Sequence, residues 1–112
     1  MTDREQTALL AEKVMGWHRP EGQWSWYDAQ GRRKADVEWS PKYSISDAWV
    51  LVDKLRGKYF FQISSDGFTG EEWRCLIALS DNPAISVTAE APTAPEAICL
   101  AALKTLEVAD HD

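Results

Sequence analysis

The stretch from Ala94 to Val108 is apolar almost all the way round a helical wheel. Ala97, Ile98, Leu100, Ala101, Ala102, Leu103 and Leu106 leave it little polar surface. A helix of that composition has to be covered on more than one side. Thr93, Pro95 and Glu96 start it, the threonine and glutamate as a capping box and the proline in the first turn. Its small alanines permit close approach, and the expected neighbour is the sheet or the first helix of the chain.

Two other segments read as helices. Thr2 and Glu5 form a capping box ahead of a helix from about Asp3 to Met15, in which Ala8, Leu10, Ala11 and Val14 lead at helical spacing to Trp17. Gly16 is a fitting stop, and Pro20 cannot continue the helix. Ser44 caps a second helix, Ile45 to Arg56, with Asp47 where the helix dipole favours an anion. Ile45, Ala48, Trp49, Val52 and Leu55 are expected to form its buried face. Period-two alternation marks the strands. Residues 24–39 read as a hairpin turning at Asp28-Ala29-Gln30-Gly31, with Ala35, Val37 and Trp39 on one face of the return strand. Strands then follow at Tyr59–Ile63, Trp73–Leu79 and Ile85–Ala89, the last preceded by a turn at Asp81-Asn82-Pro83. The second of these is the most apolar and is expected at the centre of the sheet. The expected fold is α+β, in the order α-β-β-α-β-β-β-α, with an antiparallel sheet covered by helices in one domain of 112 residues. Residues 109–112 are expected to fray.

Composition narrows the class. The chain is 45% hydrophobic and 27% charged, as folded domains are. No apolar run is long enough to span a membrane, and the polar, acidic start does not read as a signal peptide. Cys75 and Cys99 lie inside apolar patterns and, with no export signal, are expected to be reduced core thiols in a cytosol. The net charge of −6 is carried entirely by residues 44–112. That half would repel a phosphate backbone.

Chemical motifs are scarce. The only histidines are His18 and His111. Neither has a sequence neighbour that makes it the base of a nucleophile, and the two thiols read as core filler. The sequence contains no metal-ligand spacing and no glycine-rich phosphate loop; Asp110-His111-Asp112 reads as a solvated end and Asp66, Glu71 and Glu72 as a charged loop. No cofactor is expected, and no enzymatic activity.

Three stretches, AEKVMGW at 11–17, YSISDAWVLVDKL at 43–55 and TAPEAICLAALKTL at 93–106, resemble the bacteriophage and prophage proteins of the phage ABA sandwich domain. The resemblance runs from the first helix to the last. It implies an α/β/α layered fold and assigns no activity. The family often has Asp where Ser44 stands, and either residue caps a helix.

Residues 17–43 are the ones that offer a surface. Trp17, His18, Arg19, Trp24, Trp26, Tyr27, Arg32, Arg33, Lys34, Trp39 and Lys42 interleave rings with cations, the composition of a base-stacking platform or a protein-binding hot spot. Trp17 and Trp39 continue apolar faces and are expected inside. For Trp24, Trp26 and Tyr27 two readings stand: they close the hairpin onto the first helix as a second small core, or, since they occupy both faces of one short strand, they present rings at the surface beside Arg32, Arg33, Lys34 and His18 as the candidate binding residues. The expected function is that of a phage accessory protein binding a host or phage protein, with counter-defence as one form of it. A nucleotide stacked on Trp24 or Trp26, or a single-stranded nucleic acid, are alternative ligands. Residues 44–108 follow the element order of double-stranded RNA-binding domains, but their last helix begins with Pro95-Glu96-Ala97 where those domains place lysines, so double-stranded binding is not expected.

Overall fold

In the computed structural model, residues 2–22, 25–36, 39–65 and 72–109 are described. Helix α1 spans Asp3–Leu9, and Thr2 Oγ1 caps it by accepting the Glu5 N–H at 3.1 Å. The chain then widens into a π-helical turn over Leu10–Val14, closed by Met15 N–H donating to the Leu10 carbonyl. The expected single α-helix to Met15 is thus interrupted. Leu10 and Ala11, at the start of this wider turn, are both buried. Trp17 N–H returns to the Ala11 carbonyl at 2.8 Å, and Gly16 supplies the positive φ that this reversal requires.

Strands β1 (Ser25–Tyr27) and β2 (Arg33–Asp36) form an antiparallel hairpin with Trp26 opposite Ala35. Helix α2 spans Ile45–Leu55, with Ser44 Oγ accepting the Asp47 N–H. Strands β3 (Tyr59–Ser65), β4 (Trp73–Leu79) and β5 (Asn82–Ala91) make a separate antiparallel sheet with β4 central, as its composition predicts. Helix α3 spans Ala94–Ala109. Residues 110–112 of the expected frayed end, and Val37 of the expected return strand, lie outside the described residues.

β5 begins earlier than alternation predicts, at Asn82, after a two-residue turn at Ser80 and Asp81. Pro83 reads as a turn residue, yet it falls inside this strand. β5 is at the edge of the sheet, where a missing N–H breaks no ladder.

α3 is covered on two sides, as its composition demands. Toward the sheet, Ala97, Ile98 and Ala101 pack with Cys75, Ile77, Ala89 and Ala91, joined by Ala48 and Val52 of α2. On its other side, Cys99 and Ala102 meet Leu10, Ala11, Trp17, Trp26, Trp39 and Leu51. Of the alternate residues of the sheet, Phe60, Gln62, Ser64, Arg74, Ser86 and Thr88 are exposed, while Leu76 is half-buried and Ala78 buried.

The buried stripe of α2 differs from the expected one. Ala48, Leu51 and Val52 are buried, whereas Ile45 and Trp49 stand in solvent. Residues 48, 51, 52 and 55 lie at i, i+3, i+4 and i+7, so helical spacing fits this stripe as well as the expected one.

Candidate functional site

The hairpin is organised by one carboxylate. Asp28 Oδ1 accepts the N–H groups of Gln30 at 3.0 Å and Arg32 at 2.9 Å, and Oδ2 accepts Arg32 Nε at 3.2 Å with Lys34 Nζ 3.7 Å away. The Arg32 N–H holds the Asp28 carboxyl below its ordinary pKa, against an opposing effect of burial, with Gln30 and the two cations adding to the lowering. Gly31, at φ 80°, closes the turn. Arg33 Nε donates to Ser25 Oγ across the strands. Arg32, Arg33 and Lys34 are thus gathered at the exposed end of the hairpin, as the sequence suggests.

The rings are disposed differently. Trp26 is only 5% exposed and packs into the core shared by the first helix and α3; the Arg19 guanidinium lies 5.5 Å from its ring centroid. This corrects the expectation that Trp26 presents a binding face. Leu10, Ala11, Cys99 and Ala102 form an apolar surface, and the indole covers it. Trp17 and Trp39 are buried as expected. Trp24 lies outside the described residues. His18 pairs through its backbone with Tyr27, both N–H···O distances being 2.8 Å, and their rings tilt together at 6.4 Å. The His18 side chain is exposed, while Cys75 and Cys99 are each buried in one of the two cores. Burial pushes both thiols up to about 12, so neither is a ready nucleophile at neutral pH.

Between the hairpin and α2 runs an open groove of about 760 Å³. Met15, Trp17, Ala35 and Trp39 contribute from the hairpin and first-helix side, and Asp47, Val50, Asp53 and Lys54 from α2, with Lys34 at the hairpin rim. Asp47 Oδ2 also accepts the Ser40 N–H at 2.9 Å, which fastens the segment after Trp39 to the start of α2. Of this lining, sequence reading offers only Lys34 as a site residue; it places Trp17 and Trp39 inside and misses the α2 wall. Its available signal is Val50, an apolar residue that fits neither stripe of α2 and is exposed.

A second apolar surface lies on the far side of α2. Trp49 is 47% exposed and Phe60 57%, and with Val52, Arg56, Tyr59, Phe61 and Ile63 they line a groove of about 480 Å³. Elsewhere, Lys42 Nζ stands 2.6 Å from Asp3 Oδ1 and 3.7 Å from Glu96 Oε1, so one cation ties the starts of α1 and α3 to the segment that leads into α2. The Tyr43 hydroxyl donates to the other oxygen of Asp3. These partners hold the Asp3 carboxyl below its ordinary pKa and raise that of Lys42, as structural ion pairs do.

Among the described residues, no three His, Cys, Asp or Glu side chains stand together as a metal site, and no helix is long and apolar enough to cross a membrane. Asp66, Glu71 and Asp110-His111-Asp112 lie outside the described residues.

An α+β domain with two antiparallel sheets, its longest helix enclosed between two cores, carries its distinctive features as grooves. The chain matches the phage ABA sandwich domain over residues 8–103 and belongs to that family. Its fold is similar to that of a phage protein from Bacillus cereus ATCC 14579 with a crystal structure at 2.0 Å; the two share 21% sequence identity at a TM-score of 0.70, over 96% of this chain and 89% of that one. A search of curated proteins finds no match.

Proposed function

We propose that this phage-family domain acts by binding rather than by catalysis, and that it takes a segment of a host or phage protein into the groove between the hairpin and α2. The observation that carries this reading is the lining of that groove. Ala35 and exposed Val50 give it an apolar surface over the buried Trp17 and Trp39, and its lining carries two lysines, Lys34 and Lys54, and two aspartates, Asp47 and Asp53. A lining with two lysines and two aspartates offers no net charge to a phosphate chain, but it suits a polypeptide with apolar anchors and charges of both signs. A nucleotide or single-stranded nucleic acid is favoured less, because Trp26 has no free face on which to stack a base. Inhibition of a host defence component is the biological form that such binding would take in a phage.

Site-specific photo-crosslinking during infection tests the reading. A photoreactive residue at Val50 should trap a discrete protein partner that the same residue at exposed Ser86 does not. The Lys54→Glu/Lys34→Glu double variant should lose that product. Identical products from both positions would refute the groove as the binding site.

A further inference from the structure

The two edges of the larger sheet are unlike. At β5 the ladder is interrupted: Ala78 pairs with Ser86, but its neighbour Leu79 pairs with Asn82, so residues 83–85 bulge out of register. Pro83, within that bulge, has no N–H to offer another strand. Such devices block the addition of a further strand. β3, at the opposite edge, has none of them. It runs Tyr-Phe-Phe-Gln-Ile-Ser-Ser without a charge, a proline or a glycine, and its register with β4 is unbroken from Tyr59 to Ser65. Among the described residues only β4 pairs with it.

The apolar groove beside α2 wraps round this bare edge. Tyr59, Phe61 and Ile63 lie on the helix-facing side of β3 and pack against the core, Phe60 lies on the other side, and Trp49 reaches over from α2. The open edge therefore has apolar side chains along its helix-facing side and Phe60 on the other, a surface that a strand can complete with main-chain hydrogen bonds and side-chain burial together.

We propose that β3 pairs antiparallel with β3 of a second copy of this chain, about a twofold axis at Gln62, doubling the three-stranded sheet. The strand is self-complementary in that register. Phe61 falls opposite Ile63 of the second copy, and Ile63 opposite its Phe61, so two apolar cross-strand pairs extend the core through the junction. Phe60 falls opposite a serine, and Gln62 meets its own amide, which both donates and accepts. The ends match in charge as well. Exposed Arg56 and Lys58 precede β3, and exposed Glu72 precedes Trp73, the partner of Ser65 at its other end. Antiparallel pairing sets Arg56 and Lys58 of one copy toward Glu72 of the other. The contact is isologous and β5 is blocked, so assembly closes at two copies instead of growing into a fibre.

Sedimentation equilibrium over a low- to high-micromolar concentration series tests this. The wild type should approach twice the 12.6 kDa chain mass. Gln62 is exposed, so Gln62→Lys and Gln62→Glu leave the monomer intact, as unchanged circular dichroism should confirm. Each places like charges opposite one another and should weaken the dimer by roughly tenfold or more. Mixing the two variants places Lys opposite Glu and should restore it. A wild type that stays at chain mass throughout, a mass that grows beyond two copies, a dimer indifferent to both substitutions, or a mixture that is not restored would each overturn the proposal. Crosslinking at Val50 reads the other groove and is unaffected by these outcomes.

Discussion

Trp17 and Trp39 meet edge to face, their ring centroids 5.0 Å apart and their planes inclined at 63°. Trp39 is 6% exposed, and its indole N–H is buried without a hydrogen-bond partner among the described residues. An unpaired buried donor costs roughly 1–3 kcal/mol. Trp39→Phe keeps an aromatic edge against Trp17 and removes that donor. Its stability should fall within about 1 kcal/mol of wild type, whereas Trp39→Ala should lose about 3–5 kcal/mol to the cavity it opens. Urea denaturation separates the two. A phenylalanine variant as damaged as the alanine one would show that the indole N–H does have a partner.

Trp26 and Trp49 should part company in the same assay. Trp26 closes the core against the first helix and α3, so Trp26→Ala should cost about 3–5 kcal/mol. Trp49 stands half in solvent, and Trp49→Ala should cost less than about 1 kcal/mol when measured at a concentration too low for self-association. Equal losses would mean that the burial of one of the two indoles is misassigned.

The two tryptophans also show how far the sequence could be read. Helix caps at Thr2, Ser44 and Thr93 are local chemistry, and each forms the expected side-chain bond to the backbone N–H three residues on. The nearly all-apolar helix had to be enclosed, and α3 is. What was not legible is which side of a marginal element faces in. α2 carries two apolar stripes, and only the placement of α3 and the first helix decides that Leu51 is buried and Trp49 is not. A three-residue strand such as β1 has too little pattern of its own to direct Trp26 inward; the apolar face it covers is assembled from residues 10 to 102. The groove was missed for the same reason, since Val50, Asp53 and Lys54 acquire a common purpose only when the hairpin lies opposite them.

The thiols offer a check on the enclosure of α3. Cys75 and Cys99 are free, buried on opposite sides of that helix's packing, and pushed up to about 12 by burial. The thiolate is the reactive form, so neither should react with a disulfide reagent in the native protein at about pH 8 on the timescale of an exposed cysteine. Both should react at once in denaturant. Prompt reaction of one thiol in native buffer would show that its core opens, and Cys75→Ala and Cys99→Ala would tell which.

Asp28 should make the hairpin sensitive to acid. Its carboxyl is held below the ordinary 3.8 chiefly by the Arg32 N–H, with Gln30 and the neighbouring cations assisting and burial opposing. A folded pKa below the unfolded one means that the ionised form favours folding, so the contribution is complete above the unfolded value and is lost as pH falls through the lower folded value. The hairpin should therefore be indifferent to pH between about 7 and 5 and loosen below about 4. Asp28→Asn keeps an acceptor for the Gln30 and Arg32 N–H groups but carries no charge. Its melting temperature should lie below that of the wild type at neutral pH, and the gap should close as the pH drops. Asp3, paired with Lys42, shifts in the same direction and would blur the comparison, so both proteins are best compared in an Asp3→Asn background. A gap that stays constant from neutral pH to strong acid would mean that Asp28 acts through its shape alone and not through its charge.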